Sequence, residues 1–141
     1  MADLQQLYQQ IVLDHYRHPR NYFEIEGADR TAEVHNPVCG DQITLYLSVQ
    51  DKTICDIGFQ GAGCAISQAS ASLMSTCLRE KTLAEAEALS DQFSKMLKGE
   101  DQIADQIGEL SALGAVRRFP ARVECALLAW RALHQALALD K

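Results

Sequence analysis

The stretch ITLYLSVQDKTICDIGFQGAGCAI, residues 43–66, decides how this chain folds. From Ile43 to Val49 the odd positions are apolar and the even ones mostly polar. That is the period of a strand with one face buried and the other left to solvent, and it suits an antiparallel sheet. Residues 53–59 repeat the alternation and set Cys55, Ile57 and Phe59 on one side, where Cys55 is expected to act as a small core hydrophobe. Asp51 and Lys52 lie between the two runs and predict a hairpin. Gly61, Ala62 and Gly63 break the second run. From Cys64 onward the spacing turns helical through Ala65, Ile66, Ala69, Leu73 and Cys77, and Cys77 too reads as a core residue.

Working outward, residues 3–17 predict an amphipathic helix with Leu4, Leu7, Tyr8, Ile11 and Val12 on one face. Asp3 is the expected cap and Pro19 the stop. Residues 31–35 add a third strand. Thr82 and Glu85 form a T-x-x-E capping box for a further helix, expected to break near Ser90 and to end at Gly99. Residues 101–114 are expected to be helical. A last helix starts near Pro120, a favourable first helical residue, and runs through Trp130 to about Leu139.

At 141 residues, with no repeat, linker or low-complexity tract, the chain reads as one domain, 1–141. Apolar residues make up 48% and charged residues 23%, an ordinary globular mixture. The net charge of −6 argues against a general nucleic-acid binder, because neutralising many phosphates calls for a basic chain. No apolar run reaches the ~18 residues of a membrane span, and the polar N-terminus does not read as a secretory signal. A cytoplasmic protein is expected. Between Lys81 and Leu110 three basic residues face seven acidic ones, read as a solvated helical face.

The five cysteines are Cys39, Cys55, Cys64, Cys77 and Cys125, an odd number with no C-x-x-C pair, which argues against a disulfide framework. Cys39 lies in the turn Asn36–Asp41, directly before a strand. Cys64 sits where strand gives way to helix, so free backbone N–H groups and the helix dipole favour its thiolate. Cys125 lies in the first turns of the last helix. Such positions can converge at one end of a sheet. With Asp41 they offer three sulfurs and one oxygen, a workable set for zinc or iron. Their spacing alone leaves the choice between a metal site and other cysteine roles open.

Asn36–Asp41, Gly61–Ser67 and Phe119–Trp130 closely resemble the three cysteine motifs of the SufU/IscU family of iron–sulfur cluster assembly scaffolds, also seen as the N-terminal domain of NifU. Asp14–Asn21, DHYRHPRN, resembles that family's opening. The resemblance covers nearly the whole chain. It implies an α+β fold, a small antiparallel sheet of about three strands packed against several helices, in agreement with the periodicities. The 61 positions from Cys64 to Cys125 and the reading Phe119-Pro120-Ala121-Arg122-Val123 resemble the SufU branch. Glu124, rather than the IscU-type histidine or a basic residue, precedes Cys125.

The resemblance implies zinc on Cys39, Asp41, Cys64 and Cys125, with iron or an iron–sulfur cluster as the alternative occupant. It implies sulfur accepted as a persulfide from a SufS-like cysteine desulfurase and passed to downstream assembly proteins, the chain being that enzyme's sulfurtransferase-like partner rather than a free-standing enzyme. Cys39 is the expected acceptor, beside the flexible Gly40, and Arg122 the expected cation that offsets the site's negative charge. Assembly of a nascent cluster on the same residues is the alternative. A zinc-stabilised interaction module and a cysteine hydrolase using His35 are weaker readings.

Overall fold

The alternating stretch folds into a hairpin that forms two of three strands. The structure, a computed structural model, describes residues 2–37, 40–99 and 107–138, with residues 2–8 as backbone alone. In chain order they form α1 (Ala2–Arg17), β1 (Arg30–Asn36), β2 (Asp41–Gln50), β3 (Thr53–Ala62), α2 (Ala65–Leu78), α3 (Leu83–Leu97), a 3-10 helix (Gly108–Arg118) and α4 (Pro120–Ala138). The sheet is antiparallel in the order β1-β2-β3. Asp51 and Lys52 turn the hairpin with positive φ at both, +52° and +63°, the handedness that matches strand twist. The α+β fold expected from the sequence is the one observed.

One face of the sheet makes the core. Ala32 and Val34, Ile43, Leu45 and Leu47, and Ile54, Ile57 and Phe59 are all buried. α4 lies across β1 and β2, and α2 covers β3. Trp130 joins the helical layer together: its ring stacks on Phe93 of α3 at 4.8 Å, and its Nε1–H donates to Ser70 Oγ of α2 at 3.1 Å. Arg30, also buried, donates to the carbonyls of Ala136 and Leu137, so the first strand holds the end of the last helix.

Cys55 corrects the sequence reading. It is exposed, its thiol directed to Ser48 O at 3.2 Å. The register runs Ser48↔Asp56 and then Val49↔Ile54, so Cys55 is the extra residue of a β-bulge. Ile54 and Ile57 are three apart and would face opposite sides of a regular strand. The inserted residue lets both point inward, and burying an isoleucine is worth about 1.5–3 kcal/mol. A small thiol is the cheaper side chain to leave outside.

Three boundaries also shift. α1 begins at Ala2, so Asp3 lies within its first turn instead of capping it. α3 does not break at Ser90, whose buried hydroxyl lies 2.9 Å from His134 Nε2 on α4. Of the stretch 101–114, residues 101–106 lie outside the described residues, and from Gly108 the chain is 3-10 rather than α-helical. The capping box holds: Glu85 N–H donates to Thr82 Oγ1, and Thr82 N–H to Glu85 Oε1. Cys77 is partly buried against the core, and burial pushes its thiol pKa up.

The segment after α1 is pinned from both sides. Ser72 Oγ accepts Arg20 N–H at 2.9 Å and lies 2.7 Å from His15 Nδ1. Asn21 Nδ2–H donates to Ser75 Oγ, Arg79 donates to Asn21 Oδ1, and Asn21 O accepts Phe59 N–H at 3.0 Å. The segment thereby covers the open edge of β3, which feeds directly into Cys64.

Candidate metal centre

Three elements end at the same corner of the sheet. β2 starts with Asp41, whose register partner Asn36 ends β1, and Gln42 lies opposite Ala62 at the end of β3. Gly63 then turns the chain into α2 with φ +148°, and a Cβ there would lie 2.3 Å from Asp41 Oδ1. Only glycine lets the backbone approach the carboxylate so closely. Cys64 follows as the N-cap of α2.

Asp41, only 2% exposed, spends one oxygen on this corner and turns the other to sulfur. Cys64 N–H donates to its Oδ1 at 3.0 Å, and its Oδ2 lies 3.5 Å from Cys64 Sγ. Cys125 reaches the same place from the second turn of α4 and is buried. Ligand atoms of Asp41, Cys64 and Cys125 all lie within 4.8 Å of one another. Around a tetrahedral zinc with sulfurs at about 2.3 Å, neighbouring sulfurs would be about 3.8 Å apart. The three donors need only a small contraction to fit such an ion, and two soft thiols with one carboxylate suit zinc or iron.

Arg122 stands at the rim. The Arg122 guanidinium is held above its usual pKa, first by Cys64 and then by Cys125, through charge and hydrogen bonding. The family resemblance implied an offsetting cation at this position, and the guanidinium interacts with both cysteines. A cavity of about 420 Å³ opens beside it, lined by Cys64, Ile66, Val116, Phe119 and Arg122 among others, and Phe119 is 60% exposed.

Of the four expected ligands, the structure brings Asp41, Cys64 and Cys125 together. Cys39 lies outside the described residues. Gly40 next to it is described: its φ is +76°, and its N–H donates to Asn36 O at 2.8 Å, closing the turn on the metal-site side of β1 and β2. His35 is exposed on β1, 3.9 Å from Glu33, and does not join the cluster. Glu124 is paired with Arg131 along α4. Sequence reasoning read Gly63 only as a strand breaker, although its place between a strand end and a helix-capping cysteine was a visible signal of its part in the site. It passed over Tyr22, for which no local pattern gave one.

A three-stranded antiparallel sheet backed by helices, with a carboxylate and two thiols gathered at one end, defines a small α+β domain with a soft-metal donor set. A family model described as the NifU-like N terminal domain matches residues 7–139, and the chain belongs to that family. It is 37% identical over 141 residues to the zinc-dependent sulfurtransferase SufU of Bacillus subtilis (strain 168), covering 99% of this chain and 95% of that one. It is 38% identical over 138 residues to the iron–sulfur cluster assembly scaffold protein IscU of Streptococcus pyogenes serotype M1, covering 97% and 86%. Among solved structures, it superposes on a protein described as a proposed iron–sulfur cluster assembly scaffold for the SUF system of Fervidobacterium islandicum AW-1. That match has a TM-score of 0.84 and 33% identity, and covers 91% of this chain and 94% of the other. Among the described residues no helix is long and apolar enough to cross a membrane.

Proposed function

We propose that this chain is a zinc-dependent acceptor of persulfide sulfur from a SufS-like cysteine desulfurase, serving iron–sulfur cluster assembly in the cytoplasm. The observation that carries this reading is the convergence of Asp41, Cys64 and Cys125 within 4.8 Å, with Arg122 beside the two thiols. The kinship with a zinc-dependent sulfurtransferase supports it. Cys39, Asp41, Cys64 and Cys125 would hold the metal. Zinc, when bound, keeps its cysteine ligands deprotonated at neutral pH.

The reacting group is the Cys39 thiolate. It attacks the outer sulfur of the partner's persulfide, a new S–S bond forms on Cys39, and the partner's S–S bond breaks with its cysteine leaving as thiolate. One sulfur moves with no net oxidation. Cys64, capping α2, and Cys125, inside α4, are anchored by packed helices. Cys39 is followed in sequence by Gly40, whose backbone lies in the left-handed region, and such a neighbour suits it to swing toward a partner. Arg122 offsets the excess negative charge of three thiolates and a carboxylate. In this scheme the chain is the desulfurase's substrate and activator, not a free-standing enzyme.

A second reading, a scaffold on which a nascent cluster is built from iron and sulfide at the same residues, is favoured by relatives named as scaffolds. Metal analysis separates the two. A colourless protein with one zinc is expected, whereas a brown chromophore as isolated supports the scaffold. After incubation with desulfurase and cysteine, thiol-trapping mass spectrometry should find extra sulfur on Cys39, and Cys39→Ser should lose stimulation of the desulfurase. Extra sulfur chiefly on Cys64 or Cys125, with Cys39→Ser still active, would reject the acceptor assignment.

A further inference from the structure

β3 carries the chain into Cys64, and its last residues have a strand partner on one side only. Gly61 lies opposite Ile43 of β2. Its own N–H and C=O point to the other edge, where both meet one atom, the hydroxyl of Tyr22. Tyr22 O–H donates to Gly61 O at 2.8 Å, and Gly61 N–H donates to Tyr22 Oη at 3.2 Å. A single hydroxyl thus stands in for a missing fourth strand, three residues before the cysteine. The ring beneath it is fixed edge-on against Phe59 at 5.1 Å, and the Tyr22 backbone is bridged to Phe59. On the β2 side only glycine fits at this position, because a Cβ there would lie 2.2 Å from Gln42 O.

We infer that Tyr22 is a positioning residue for the metal centre, acting through Gly61 to hold Cys64 against Asp41. This rests on the proposed reading of Asp41, Cys64 and Cys125 as a metal site. The chain of contacts is short. Tyr22 Oη fixes Gly61, Gly63 passes within a Cβ's reach of Asp41, and Cys64 N–H is held by Asp41 Oδ1 at 3.0 Å. Without the hydroxyl, Gly61 loses its only edge-side partner among the described residues, and the strand end can peel away from the carboxylate. Tyr22 is 44% exposed, more than a residue used for core packing, which fits a role carried by its hydroxyl.

Tyr22→Phe removes that hydroxyl and keeps the ring against Phe59. In the reduced, metal-free protein, amide exchange followed by NMR should speed up at least about fivefold at Cys64, while the core amides of Leu45 and Leu73 keep their wild-type rates. Zinc affinity measured by chelator competition should fall roughly tenfold, the usual scale for losing a group that orients a ligand. An unchanged Cys64 amide, a uniform acceleration of all three amides, or equal zinc affinity of the two proteins would overturn the inference. Zinc uptake by the wild-type chain tests the metal-site reading separately. If the wild type takes up none, that reading fails, while the exchange rates still decide whether Tyr22 positions Cys64.

Discussion

Asp41 uses its two oxygens differently. Oδ1 is committed to Cys64 N–H, at the positive end of α2, and Oδ2 faces the Cys64 sulfur. The first contact shapes the corner, and the second is the one a metal would replace. Two substitutions separate them. Asp41→Asn keeps an oxygen acceptor for Cys64 N–H but loses the anionic donor, so zinc affinity should fall at least about tenfold by chelator competition with the thermal midpoint of the metal-free protein little changed. Asp41→Ala removes both contacts and should lower affinity and midpoint together. Unchanged affinity in both variants would remove Asp41 from the ligand set. The residue types at this corner were legible in the sequence, because Asp41, Cys64 and Cys125 stand at element starts. The Tyr22 hydroxyl was not, since its partner Gly61 is 39 residues away.

Elements held to the sequence pattern where local chemistry governs them, and left it where packing does. The capping box on α3 is local: Thr82 and Glu85 each satisfy the other's backbone N–H. Thr82→Ala should lower unfolding free energy by about 1 kcal/mol in urea titrations at pH 7. The Glu85 carboxyl is held below its ordinary value of 4.5 by its hydrogen bonds to Thr82. Its contribution is therefore complete above pH 4.5 and is lost as pH falls through the lower folded-state value, so a Glu85→Gln variant, which keeps an oxygen acceptor but no charge, should converge with the wild type in acid. The bulge at Cys55 is the opposite case. Strand periodicity put Cys55 inside, yet the need to bury Ile54 as well as Ile57 inserted a residue and turned the thiol out. Nothing in residues 53–57 alone could rank those two costs.

For the whole molecule, the joint between α1 and α2 holds a buried group sensitive to acid. His15 is 5% exposed, and burial, followed by the charge of Arg20, holds its pKa below the ordinary 6.5, while Glu109 and Asp14 pull the other way. A depressed histidine is neutral when folded and binds its proton more readily when unfolded. Its stability contribution is full above pH 6.5 and declines as pH drops through the folded-state value. The metal-free wild type should therefore lose more of its urea midpoint between pH 7.5 and 5.5 than His15→Gln does. Parallel losses in the two proteins would show that His15 does not govern this range. Trp130, the only tryptophan, is buried between α2 and α3, so its emission reports that unfolding directly.

By itself the sequence determined the hairpin, the capping box, the start of α4 at Pro120, and the placing of the chemistry-bearing residues at element ends. Each is written in a window of a few residues, as a period of two or 3.6, a turn pair or a cap, and such signals act through nearest neighbours. Only the tertiary structure decided that Asp41, Cys64 and Cys125 meet, that Arg122 sits against both sulfurs, that Cys55 faces out, and that Tyr22 closes the edge of β3. Those facts depend on contacts across tens of residues. They are settled by which apolar side chains the packed sheet and helices can bury at once, and by which backbone groups that packing leaves in need of a partner.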